Sequence, residues 1–222
     1  MELAVLLAGH AEHLEVHLEA ARSAVQAKPE QVAGTVRITT TDTILHGLVA
    51  PALKALHTAH PLLTYELHTG NELTSLTRHD ADIAVRATKR PPQHLVGRNA
   101  GPIRVALYAA RKGKIKRYED VLAGRVHWIA PDDALPDHPS VSWRKRHFPK
   151  VFPRYRVNSI LTVAELVAQG MGVGILPLFL AQSRADLLPL TDPIDECQTD
   201  LVAHASGIAA STACVHVIQT PV

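Results

Sequence analysis

"VNSILTVAELVAQGMGVGILP" (residues 157–177) is the stretch whose reading decides the fold. Gly170, Gly172 and Gly174 fall close together and raise the question of a phosphate loop. A dinucleotide fingerprint needs the order strand, glycines, helix, so that the helix N-terminus points at the phosphates. Here the order is reversed. "ILTVAELVAQ" has helical spacing, Asn158 and Ser159 mark its start, Gly170 stands where a helix C-cap belongs, and "VGILP" is a strand. The glycines therefore serve a tight turn and close packing, not a nucleotide.

Upstream of this unit, strands and helices alternate. "TVRITT" puts Val36 and Ile38 between polar neighbours and predicts a strand. A helix follows, with Leu45, Leu48, Leu53 and Leu56 on one side, which Pro51 must kink or split. It ends before Pro61. "LLTYELHT" is a strand, "NELTSLTRHD" a short helix with Asn71 as N-cap, and "ADIAVRAT" a buried strand. This is a parallel α/β lobe. After "KRPPQHLVGRNAG" come a strand "IRVALYAA", a helix "YEDVLAG", a strand "RVHWIA", a helix "HPSVSWRKRHF" and a strand "YRVNS". Downstream, "PLFLAQSRAD" is a helix, "TDLVAHAS" a strand that can return to the first lobe, and "STACVHVIQ" a terminal helix.

Residues 3–28 form a separate unit. Leu7, Ala11, Leu14, Leu18, Ala21 and Val25 recur at alternating gaps of four and three, the stripe of a helix that wants a helical partner. Pro29 and Gly34 end it. His13 and His17 stand at metal-ligand spacing on this helix, but no further ligand can be named. A solvated face interleaved with Glu12, Glu15 and Glu19 is the plainer account.

Composition narrows the function classes. A net charge of +2 is too small to drive nucleic-acid binding. The two cysteines, Cys197 and Cys214, make neither a disulfide framework nor a metal spacing, which suits a reducing compartment. No apolar run reaches membrane-spanning length, and the N-terminus lacks the basic start of a signal peptide, so the expected location is cytoplasmic. The short basic runs at 111–117 and 143–150 are solvated faces rather than DNA contacts.

"GTVRITTTDTILHGLVAPALKALHTAHPLLTYELHTGN", "LTRHDADIAVRAT", "LVGR" and "VNSILTVAELVAQGMGVGILP" together resemble the effector-binding domain of LysR-type transcriptional regulators, over about residues 34–205. "HDADIAVR" and "ELVAQGMGVGILP" are the most specific pieces, and residues 1–31 are similar to the family's linker helix. The resemblance implies two Rossmann-like α/β subdomains joined by crossover strands, as in type II periplasmic binding proteins, preceded by that helix. The expected division is 1–31 for the linker and dimerisation helix, 32–101 with 182–222 for subdomain I, and 102–181 for subdomain II. It also implies a small-molecule effector in the cleft, a homodimer or homotetramer, and DNA contact only through an N-terminal winged helix-turn-helix. That head is expected to be absent from this chain. The final segment "GIAASTACVHVIQTPV" carries less charge than is usual for the family's last helix.

Open α/β lobes bind ligands at the C-terminal ends of their strands. The candidate effector contacts are therefore Thr41 and Thr43 in "TTTDT", Asn71 after the second strand, Arg86 ending the third, Ala130 in the second lobe, and Asn158 and Ser159 opening the long helix. Arg86 is the natural partner for an acidic effector. Each has a plainer reading: N-caps for Thr41, Asn158 and Ser159, and a surface bridge to Asp42 or Glu72 for Arg86. No nucleophile–base pair, carboxylate dyad or metal spacing stands out, so no catalytic residue, metal or cofactor is expected. A free solute-binding protein or an enzyme on the same fold is the alternative.

Overall fold

The structure, a computed structural model, describes residues 33–70, 81–88, 96–132, 135 and 138–205. The expected leading helix, Asn71 with its short helix, and the terminal helix lie outside the described residues.

Strand β1 (Gly34–Thr40) pairs in parallel with β2 (Leu63–Thr69) and with β3 (Ile83–Thr88). The helical connection after β1 is divided as Pro51 requires. It consists of α1 (Asp42–Ile44), a π turn (Leu45–Val49) and α2 (Ala50–Ala59), with Pro51 in the first turn of α2. Proline has no N–H to donate and crowds the carbonyl four residues back. The wider turn absorbs the clash by letting Ala50 N–H bond back to Leu45 O. Leu53 and Leu56 then pack with Val36, Ile38 and Ile83 in the core of this lobe.

Two antiparallel strands complete the first sheet. β4 (Val96–Ile103) and β10 (Thr199–Ala205) give the order β2-β1-β3-β10-β4. The return of "TDLVAHAS" to the first lobe is thus observed, while β4 was not expected as a strand. The chain passes from β4 through Arg104 straight into β5 (Val105–Ala110), whose residues are all buried. β5 lies between β8 (Gly174–Pro177) and β9 (Leu187–Pro189), both antiparallel to it. β6 (Ile129–Pro131) pairs in parallel with β7 (Tyr155–Val157), and a parallel bridge from Trp128 to Val173 ties them to β8. β9 carries the second sheet past the division expected at residue 181.

Three helices cover the second sheet: α3 (Tyr118–Leu122), α4 (Pro139–His147) and α5 (Ile160–Ala168). α5 buries Ile160, Val163, Ala164 and Val167 against β5 and β8, one stripe at helical spacing. The helix expected over "PLFLAQSRAD" is the short α6 (Leu178–Ala181).

The glycines of 170–174 have three separate reasons. Gly170 has φ +75°. Its N–H bonds to Val167 O, and that of Met171 to Leu166 O, the double closure of a Schellman C-cap. At Gly172 a Cβ would sit 2.3 Å from the His127 carbonyl oxygen. At Gly174 it would sit 2.7 Å from Val163 of α5. The turn is a packing device, as its place between helix and strand requires.

Candidate functional site

The C-terminal end of β1 leads into α1, whose first residues meet the N-terminus of α5 from the other lobe. Thr41 is the N-cap of α1, its Oγ1 accepting from Ile44 N at 3.3 Å. Ser159 is the N-cap of α5, its Oγ accepting from Thr162 N at 3.1 Å. Sequence position alone licenses both caps.

What the caps do next is not local. Thr43 Oγ1 accepts the Leu161 amide at 3.1 Å, so a threonine of the first lobe serves a free N–H in the first turn of the second lobe's long helix. Ser159 Oγ donates back across the same gap to Asp42 Oδ2. A third interlobe contact is apolar: Phe179 of α6 lies so close to Gly47 that a Cβ there would meet its ring at 2.5 Å.

Arg86 does not end β3 as expected: the strand runs on to Thr88 because β10 extends the ladder, pairing Val202 with Arg86, beyond the last β1 pair of Thr39 with Ala84. Only 6% of Arg86 is exposed. One guanidinium nitrogen, Nη2, donates to Thr39 Oγ1 at 2.9 Å, and Nη1 reaches the Val85 carbonyl at 3.4 Å. Nε is buried without a partner, and so is the Thr40 hydroxyl on the neighbouring strand. Among the described residues no carboxylate pairs with Arg86. A bridge to Asp42 is not formed, and Glu72 lies outside the described residues. Burial pulls the Arg86 pKa below its ordinary value, since desolvation disfavours the charged form. Taking a cation out of water without a counter-ion costs several kcal/mol.

The structure therefore brings Thr43 and Ser159 together across the lobes, with Thr41 capping α1, while Arg86 is tied to this segment through Thr39, the first residue of "TTTDT". Ala130 is buried in β6 opposite Arg156, and Asn158 is exposed just before α5. Two residues were not singled out from the sequence as contacts. Thr39 anchors Arg86, and Asp42 is the acceptor that joins the lobes. The available signal was Asp42 itself, an acid at the first position of a helix.

The LysR substrate binding domain model matches residues 29–215. The chain belongs to the LysR substrate-binding domain family. An "HTH-type transcriptional regulator" of Xanthomonas campestris pv. campestris (strain 8004) is 31% identical over 113 residues, 51% of this chain and 33% of that protein. The "Mau operon transcriptional activator" of Paracoccus denitrificans is 28% identical over 177 residues, 80% of this chain and 57% of that protein. This LysR domain thus spans between a third and just over half of the relatives it matches. Among solved structures, the regulatory domain of the LysR-type regulator CrgA from Neisseria meningitidis superposes with a TM-score of 0.69 at 17% identity, over 84% of this chain and 96% of that one. The effector domain of AmpR from Pseudomonas aeruginosa does so with 0.64 at 13% identity, over 83% and 91%. These likenesses establish the periplasmic-binding-protein-like fold of a LysR regulatory domain. No helix among the described residues is long and apolar enough to cross a membrane.

Proposed function

We propose that this LysR domain is the ligand-sensing and oligomerising part of a cytoplasmic transcriptional regulator, and that its cleft binds a small acidic effector. The observation that carries this reading is Arg86. It is a nine-tenths buried guanidinium on the central strand of the first sheet, past the last pair of that strand with β1, with an unpartnered Nε and no carboxylate against it among the described residues. A bidentate contact to an effector carboxylate would supply the missing charge and partner. Thr41, Thr43, Ala130, Asn158 and Ser159, with Asn71, complete the cleft in this reading, the caps holding its shape around the acid.

The signal is closure. A ligand that touches both lobes prefers their joined state, and the shift it produces is set by its difference in affinity for the two states. The closed form is passed on through a homodimer or homotetramer to a winged helix-turn-helix segment that makes the DNA contacts. Subdomain I comprises 32–101 with the returning strand β10, subdomain II comprises 102–181 with β9, and residues 1–31 link them to the reader of DNA. The domain binds and does not catalyse.

A thermal-unfolding screen of small carboxylic acids, amines and neutral sugars tests the reading. At a hundredfold excess over its Kd a cleft ligand adds about 2.7 kcal/mol of stability. The reading expects the hits to be acids. Hits confined to amines or neutral molecules contradict it.

A further inference from the structure

Asp42 occupies the first position of α1, where a carboxylate suits the partial positive charge of a helix N-terminus. Its bonds run well beyond a local cap. Oδ1 accepts from the Thr43 amide at 2.6 Å and from the Thr43 hydroxyl at 3.1 Å. Oδ2 accepts from Ser159 Oγ of the other lobe. Both of these hydroxyls are themselves acceptors for α5. Thr43 Oγ1 takes the Leu161 N–H, and Ser159 Oγ takes the Thr162 N–H. Each hydroxyl accepts one helix amide and donates its own proton to the same carboxylate. Asp42 is the common end of two hydrogen-bond chains that start on the free N-terminal amides of α5. Two helix N-termini and two hydroxyls converging on an anion is what an external acid would seek. In this molecule the chain supplies the anion itself.

We infer that Asp42 is a built-in carboxylate that fills the acid seat between the lobes. It clasps α1 to α5 in the joined state and leaves Arg86 as the single seat for an external acid group. The count of seats rests on the reading of Arg86 given above. The two charged groups are in opposite conditions. Asp42 has both oxygens engaged, whereas Arg86 has a buried Nε with no partner among the described residues. An effector with one acid group satisfies Arg86. A second acid group aimed at the helix N-termini meets the like charge of Asp42. The clasp therefore selects for a monoanion whose remaining surface is neutral or donating.

Formate, the smallest carboxylate, tests this. Unfolding temperatures are measured in sodium formate against sodium chloride at equal ionic strength, for the wild type, Asp42→Ala, Arg86→Ala and the double variant. The account expects a formate-specific rise in the wild type that Arg86→Ala removes. Asp42→Ala is expected to melt lower in chloride and to gain a larger rise. The double variant should keep a rise that Arg86→Ala lacks, because the vacated seat takes formate without Arg86. A double variant no more responsive than Arg86→Ala overturns the Asp42 inference. An Arg86→Ala protein as responsive as the wild type overturns the Arg86 reading instead, and leaves the Asp42 seat standing if the double variant still exceeds it. Asp42→Ser replaces Asp42→Ala in both roles if the alanine variant does not fold.

Discussion

Arg86 in the first lobe and Arg144 in the second are buried to the same degree, each 6% exposed, each with a buried Nε that has no partner. Burial lowers the pKa of both. They differ in what the chain has built around them. Arg144 sits on α4 beside Trp143, whose ring lies 6.0 Å from that of Phe148, and its Nη1 donates to the Val151 carbonyl, closing the turn that follows the helix. Phe148 packs on Trp128 at 5.0 Å and edge-on to Tyr118 at 6.5 Å. Arg144 is thus a strut inside a finished aromatic core. Arg86 lies within the central strand β3, opposite Val202 of β10, and its bonds go to Thr39 and its own backbone neighbour. A buried arginine is not by itself the mark of a site. What differs is the surroundings: Arg144 closes a turn beside an aromatic cluster, whereas Arg86 bonds to a threonine of the neighbouring strand.

That contrast predicts opposite responses to truncation. Arg144→Ala loses the turn-closing bond and leaves a hole in the second lobe, so urea unfolding should show a loss of about 3 kcal/mol with effector affinity unchanged. Arg86→Met replaces an uncompensated cation with an apolar chain of similar length. Its stability should stay level or rise by about 1–2 kcal/mol, because a buried charge without a partner is a cost to the empty domain. A loss as large as that of Arg144→Ala would make Arg86 a strut as well and erase the distinction.

Two smaller effects sharpen it. Thr43→Val removes the acceptor for Leu161 N–H across the lobes and should cost about 1 kcal/mol, read by urea unfolding. The second concerns the self-contained character of the second lobe. His138 caps α4: its Nδ1 lies 2.7 Å from Ser140 Oγ and accepts from Ser140 N at 3.3 Å. Burial lowers its pKa from 6.5 to about 4. The unfolded chain therefore takes up the proton first. The contribution of neutral His138 is fully present above pH 6.5 and is lost as pH falls from there toward 4. Between pH 7 and pH 5.5 the loss is about 1 kcal/mol. His138→Asn keeps a capping side chain and should flatten the stability profile by that amount over this window. An unchanged slope would show that the ring titrates freely.

The parts of the fold legible in the sequence were those with local causes. Gly170 ends α5 because only a left-handed residue closes that turn, and Pro51 divides the helix after β1 because it has no N–H to give. β4 was not legible. "VGRNAGPI" contains two glycines and a proline and has no alternation, and it becomes a strand by pairing with β10, far along the chain. β9 is three residues long and has no pattern of its own. At the site, Thr41 and Ser159 were legible as caps from their positions. The joining of Asp42 to Ser159 and of Thr43 to Leu161 was not, because each spans more than a hundred residues and exists only once the crossover strands bring the lobes together. The sequence reading offered Asp42 as a partner for Arg86. The fold gives it to Ser159, and so leaves Arg86 uncompensated among the described residues.

The central claim is that Arg86 receives the effector's acid group. Calorimetric titration of the acid found by the screen, into the wild type and Arg86→Ala, tests it most directly. A lost charge-assisted contact is worth about 1.5–3 kcal/mol, so the variant should bind about 10- to 150-fold more weakly. Equal affinity in the two proteins would contradict the account.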